Sequence, residues 1–213
     1  MNPWATWETE KQLGKAAAAL QRNEFAVVVC ADRAQAVAHL LAAAESANTV
    51  GFGGSVSLVE LGLPQRLAEA GKECLIHGAP DLTLDQRLEI MRRQLTCDLF
   101  LTGTNAVTLD GKLVNIDATG NRVGAMAFGP KQVMVVAGVN KLAADEQTAI
   151  ARVRSWVAPP NAHRLGVQTP CAETGFCVDC GSPQRICRIV HVMEKKPRLT
   201  NLTVLLVAEA LGL

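Results

Sequence analysis

Tyrosine is absent from this sequence, and its 213 residues include only five Phe and three Trp. With so few large rings, the apolar composition rests on Ala, Val and Leu, which suits helices packed over a buried sheet. Neither sign of charge dominates: 21 Lys and Arg stand against 20 Asp and Glu, a formal net charge of +1. So balanced a molecule has no field to draw it to nucleic acid or to an anionic membrane surface, and neither is expected as a partner. No apolar run approaches the roughly 18 residues that a membrane span needs, and Met1-Asn2-Pro3-Trp4-Ala5-Thr6-Trp7-Glu8 has no basic segment leading into an apolar one. A cytoplasmic protein is expected. In that reducing compartment the seven cysteines, an odd number, read as ligands and buried thiols rather than disulfides. Internal repeats are lacking as well. One domain over residues 1–213 is therefore expected, long enough to bury roughly 70% of the surface its unfolded chain exposes.

What is present is an alternation of helical and strand patterns. Trp4, Trp7, Leu13, Ala17 and Leu20 have helical spacing through Arg22, and Phe25 to Cys30 is a short apolar run. Asp32 with Gln35, and Thr83 with Gln86, have the spacing of capping boxes that open helices over Ala36 to Ala44 and Leu84 to Leu95. Strands are expected at 49–52, 73–77, 98–102, 132–137 and 202–207, and a helix over 143–156 that Pro159-Pro160 stops. Asp110-Gly111 between alternating apolar residues signals a hairpin, hence a local antiparallel piece in the sheet. The fold class is α/β: a mostly parallel sheet with helices on both faces and a C-terminal cysteine-rich loop.

Four of the cysteines, Cys171, Cys177, Cys180 and Cys187, crowd into one segment flanked by Pro170, Gly175, Gly181 and Pro183. Two residues between Cys177 and Cys180 let a tight turn bring both sulfurs to one side, and the other two supply longer arms. Four thiolates suit an iron–sulfur cluster of the 4Fe-4S type or a tetrahedral zinc. A zinc site of Cys177, Cys180, Cys187 and His191 would leave Cys171 free. Zinc sites usually show two close ligand pairs and only one is present, which favours iron–sulfur and keeps zinc as the alternative. Arg185 and Arg188 stand where they would offset the charge of a thiolate-bound cluster. Cys30, Cys74 and Cys97 fall on or beside apolar runs and are assigned to the core.

In open parallel sheets ligands sit beyond the carboxyl ends of the strands, so the loops at 51–55, 102–105 and 138–141 should converge. Gly51, Gly53, Gly54 and Ser55 form a glycine-rich turn ahead of a helix, a cradle for a phosphate or carboxylate that is neither a Walker loop nor a dinucleotide fingerprint. Thr102, Gly103, Thr104 and Asn105 end another strand, and Asp117, Asn121 and Arg122 follow the hairpin. Hydroxyls, amides and a guanidinium of this kind bind a small oxygen-rich acid. Lys131 and Lys141 add two ammonium groups near strand ends, which would favour an anionic substrate.

The stretches Leu101 to Asp117, Gly120 to Val123, Gly129-Pro130-Lys131 and Thr169 to Cys187 resemble the lactate-utilisation (LUD) domain family, in its cysteine-bearing branch. That resemblance, covering most of the chain from about Thr49, implies a fold similar to sugar-phosphate isomerases and coenzyme A transferases, and a link to oxidation of lactate or related hydroxy acids by iron–sulfur proteins. The chain lacks the multi-cluster cysteine run of ferredoxin-like domains. Glu60 and Glu173 are candidates for a transferase-type carboxylate. The expectation is a small LUD-type domain in which residues 159–191 form a cysteine-rich, cluster-binding insertion beside a small-anion cleft, with a redox or Lewis-acid role, as an oxidoreductase component or an iron–sulfur lyase. Other iron–sulfur redox proteins are the expected partners, and a homodimer is compatible. The contrasting readings are a cluster-free isomerase or acyl-transfer enzyme braced by zinc, and a binding subunit without catalysis.

Overall fold

The computed structural model describes residues 3–213; Met1 and Asn2, where the stretch read for a leader begins, lie outside the described residues. Six parallel strands form the main sheet: β1 (Ala26–Cys30), β2 (Thr49–Phe52), β3 (Glu73–Leu75), β4 (Leu99–Gly103), β7 (Gln132–Gly138) and β10 (Leu202–Val207), in the spatial order β1-β10-β7-β4-β2-β3. A second sheet, ordered β8-β5-β6-β9, contains β5 (Ala106–Thr108), β6 (Leu113–Asp117), β8 (Leu142–Ala143) and β9 (Ile189–Met193). The Asp110-Gly111 hairpin does form, with Val107 opposite Leu113, but it belongs to this second sheet and not to the main one.

Strands buried on both faces need apolar residues of both parities, and β7 supplies them. Val133, Val135 and Ala137 join one core while Met134 and Val136 join the other. The first core is covered by α1 (Pro3–Arg22), whose Leu13, Ala16, Ala17 and Leu20 recur at helical spacing, by α5 (Leu84–Gln94), by α6 (Asn121–Ala127) and by side chains of the second sheet. The second is covered by α2 (Arg33–Ala44), α3 (Val56–Glu60) and α4 (Leu63–Glu69). Phe100 lies fully buried in the first core, worth about 1.5–3 kcal/mol relative to exposure. Among the described residues no helix is long and apolar enough to cross a membrane.

Helix starts follow their caps. At α5 the Thr83 Oγ1 accepts from Gln86 N at 3.3 Å and Gln86 Oε1 accepts from Thr83 N at 2.9 Å, the reciprocal box expected. At α2 the first half holds, Gln35 N donating to Asp32 Oδ1 at 2.8 Å, but Gln35 Oε1 reaches one residue further back, to Ala31 N. The expected helix over 143–156 is shorter and does not stop at the prolines. α7 (Glu146–Arg152) runs into a π-helical segment, Val153–Val157, and then α8 (Ala158–Arg164). Pro159 and Pro160 sit in the first turn of α8, directly after the π segment, so the helical run passes through them instead of ending there. α9 (Pro170–Thr174) follows, and the cysteine-rich stretch ends in β9, which pairs antiparallel with β6.

Candidate functional site

β2 pairs with β3 on one side and with β4 on the other, so the sheet order switches direction between β2 and β4. The loops leaving these strands must diverge there, opening a crevice at their carboxyl ends. A cleft of about 610 Å³ occupies the position, and the three loops expected to converge do so: Gly53, Gly54 and Ser55 after β2, Gly103, Thr104 and Asn105 at the end of β4, and Lys141 after β7. Asp117, Asn121 and Arg122 complete that wall. Two expected residues stand elsewhere. Gly51 lies within β2, packed so closely that a Cβ would come 2.9 Å from Phe100, and Thr102 is fully buried, its hydroxyl donating to Gly103 O at 2.9 Å. Both belong to the scaffold behind the cleft and not to its lining.

Arg122 differs from its expected role. Its Nε donates to Asp117 Oδ2 at 3.2 Å, Nη1 to Asn115 Oδ1 at 2.6 Å, and Nη2 to Asn105 Oδ1 and Ile116 O, both at 3.1 Å. A guanidinium so engaged has its donors spent within the protein. It ties the end of β6 to the β4–β5 turn, while Asp117 Oδ1 accepts from Thr119 N and Gly120 N to shape the start of α6. Arg152 does similar work from α7, donating to Asn105 O at 2.9 Å and Asn140 O at 3.0 Å. The two arginines fix the wall and lend it positive potential.

Lys141 is only 4% exposed although it lines the cleft. Its Nζ donates to Ser57 Oγ at 2.9 Å, its one hydrogen bond among the described residues. Burial, then the charges of Arg152 and Arg122, lower its pKa from 10.5 to about 7, with Glu60 pulling the other way. Glu60 itself accepts from Gly212 N at 2.9 Å and Glu173 is exposed in the first turn of α9; neither is among the residues that line the cleft. Lys131 is remote: it pairs with Asp98 at 2.7 Å beside the amino ends of β4 and β7, opposite the cleft. There Lys131, Thr49 and Asn48 hold the Asp98 carboxyl well below the usual range.

His77 belongs to no motif in the sequence, yet it joins the cleft. It follows β3 at the carboxyl end of the sheet and lines the cleft, with Nδ1 3.0 Å from the amide nitrogen of buried Gln94. Burial lowers its pKa, against the opposing influence of Asp117 and of that hydrogen bond. Its position at a strand's carboxyl end was the available signal; the amide of Gln94, three turns along α5, left none.

Cys171, Cys177, Cys180 and Cys187 all line one small cavity of about 20 Å³, together with Arg154, Arg185 and apolar Ala158 and Ile186. α9 presents Cys171 in its first turn and ends on Gly175 at φ 79°, where the chain turns toward Cys177. Asp179, at φ 48°, makes the turn between Cys177 and Cys180. Arg185 gathers the loop, donating to Cys187 O and Cys180 O at 2.7 Å and to Asp179 Oδ1 at 2.6 Å. Burial raises the Cys187 pKa, and the thiols of Cys177, Cys171 and Cys180 are near enough to push it further. Four thiols around one cavity are the donor type that a four-thiolate group takes. His191 is not among the lining residues: it sits on β9 opposite Asn115, with Nδ1 buried and unpartnered, so the three-cysteine, one-histidine arrangement is not assembled. Among the described residues no three His, Cys, Asp or Glu side chains are drawn into a single-ion site. Cys30 and Cys97 are buried and Cys74 half-buried, as assigned; burial pushes the Cys97 thiol up to about 11. The thiol cavity and the cleft share a wall, since Ala158, Ile186 and Cys187 line both.

Residues 13–207 match the LUD domain family. The crystal structure of a DUF162 family protein from Deinococcus radiodurans is similar with a TM-score of 0.52 at 13% identity, over 94% of this chain and 98% of that one. Such a likeness speaks for the fold alone. No curated protein matches the chain.

Proposed function

From the premise that this chain belongs to the LUD domain family, we propose that it handles a small hydroxy or oxo acid of the lactate type in the cleft, beside an iron–sulfur cluster of the 4Fe-4S type held by Cys171, Cys177, Cys180 and Cys187. The observation that carries this reading is the shared wall: Cys187 and Ile186 face the thiol cavity on one side and the cleft on the other. Held there by the four cysteines, such a group would supply electron transfer, or Lewis acidity if it kept a position open to the cleft.

The chain's own residues divide the remaining work. Lys141 and the flanking guanidiniums favour an anion, and Ser55, Asn105 and His77 offer hydrogen bonds to its oxygens. Ala158 and Ile186 keep the partition between cleft and cavity apolar. Arg185 holds the carbonyls of two cysteines and so fixes where their sulfurs point. Arg154 and Arg185, both lining the cavity, offset the negative charge that four thiolates bring. An iron–sulfur redox protein is the partner this reading implies.

The test is an absorption spectrum with iron, sulfide and zinc analysis on protein purified without oxygen, repeated on Cys180→Ala. Brown protein containing iron and sulfide, with the colour lost in the variant, supports the reading. Colourless protein with one zinc per chain overturns the cluster and leaves the cleft to be explained without it.

A further inference from the structure

Anion binding alone does not call for an amine as deeply set as Lys141. β7 ends at Gly138, and a single 3-10 turn over Val139–Lys141 carries the chain across the carboxyl edge of the sheet. Asn140 locks that turn, accepting from Leu211 N at 3.0 Å and donating to Gly212 O at 3.2 Å. The lysine that follows is thereby directed under the end of β4. Its partner, Ser57 Oγ, donates its own proton to Leu211 O at 3.3 Å and therefore receives from Nζ. The amine's lone pair is left unengaged. Burial and two neighbouring guanidiniums disfavour the ammonium form, and Glu60 lies too far to pair with it, so at neutral pH a substantial share of the amine is uncharged.

The space in front of that amine is kept clear. A Cβ on Gly103 would lie 3.5 Å from Lys141 Nζ and 2.6 Å from Ser55 Oγ, so a side chain there would fill the gap between them. Ser55 stands at the start of α3 without capping it, which leaves its hydroxyl for a ligand.

We propose that Lys141 is a covalent catalytic group whose ε-amine condenses with the carbonyl of a 2-oxo acid bound in the cleft. The nitrogen lone pair attacks the carbonyl carbon, and the carbonyl π pair moves onto oxygen, which takes a proton. The carbinolamine then loses water as the C=N bond of the imine forms, with no net oxidation or reduction. Ser55 is placed to hydrogen-bond the departing oxygen. The inference rests on the small-acid reading of the cleft and is independent of what the cysteines bind.

The experiment incubates the whole protein with pyruvate, then adds sodium borohydride, which reduces an imine to a stable secondary amine. Intact mass and peptide mapping are read, and thermal melting with pyruvate and with lactate reports binding separately. The expected result is one adduct per chain on Lys141 with pyruvate, none with lactate, and none in Lys141→Arg, which keeps a cation and whose folding the same melting curve checks. If pyruvate raises the melting temperature yet no adduct maps to Lys141, the covalent role is overturned and the acid-binding reading stands. Adducts spread evenly over surface lysines overturn it too. If neither acid shifts melting and no adduct forms, the covalent role and the acid-binding reading fall together.

Discussion

Lys141 and Arg122 are both cations in one wall, and their environments give them opposite work. Arg122 has oxygen partners for its donors and acts as scaffold, whereas Lys141 has one neutral hydroxyl and faces the cleft. The difference has a measurable consequence for stability. Between about 7, the folded value, and 10.5, the ordinary one, the unfolded chain keeps the lysine proton and the folded chain does not. Stability therefore rises with pH across that window and takes no slope from this group below it. The charges bearing on the amine are Arg152 from α7, Arg122 from α6 and Glu60 from α3. Cys97, raised from 9.0 to about 11, tilts the other way above pH 9, so the useful window is roughly pH 7 to 9. The melting temperature of the wild type relative to Lys141→Met should climb across it and stay flat below pH 7. An offset that does not change with pH would contradict the buried, depressed amine.

The elements around the cleft owe their positions to short-range chemistry that ends abruptly. The π segment Val153–Val157 lets Val153 and Val157 face the cleft before α8 starts on its prolines, placing Asn161 and Arg164 at the rim. The cysteine loop between α9 and β9 has no strand of its own and is held by side-chain bonds, most of all those of Arg185. Arg185 satisfies two carbonyls and a carboxylate there, and Arg188 adds bonds to Arg185 O and Pro183 O. Arg185→Ala should loosen this loop while leaving the main sheet intact. Limited digestion with subtilisin is expected to cut near exposed Phe176 and Val178 roughly tenfold faster, with little change in the melting temperature. An unchanged cutting rate would mean that the loop is held by its other contacts.

Across the whole molecule the two sheets differ in how deeply they are set. β7 lies between β4 and β10 with covering layers on both faces, so its amides open only when the domain does. β9 is the edge of the second sheet, and Ile189 and Val190 on it are exposed. Hydrogen exchange should therefore leave β7 and β10 protected longest, while β9 exchanges early together with the cysteine loop that precedes it. Equal protection of β9 and β7 would show that the second sheet opens only with global unfolding. This arrangement puts the thiol cavity on the side of the cleft nearer that edge strand, next to the segment joining Cys187 to β9.

Local information in the sequence was enough for the strand and helix alternation, the Thr83 capping box, the parallel sheet and the convergence of three glycine-bearing loops, because each rests on periodicity or on contacts within a few residues. The crowding of four cysteines into one segment was legible too, and the fold sets all four around one cavity. Local information misread Pro159-Pro160, since proline in a first turn and proline after a last turn look alike until the next helix is in place. It also overlooked β9, whose partners on β6 lie far back along the chain. Only the tertiary structure decided that Arg122 is spent on Asp117, Asn115 and Asn105, that Lys131 belongs to the far end of the sheet, that Lys141 is buried beside a cleft, and that Cys187 faces that same cleft. Each of these depends on the end of the sheet at which a side chain emerges and on what else is packed there, and that is set by strand order and not by spacing along the chain.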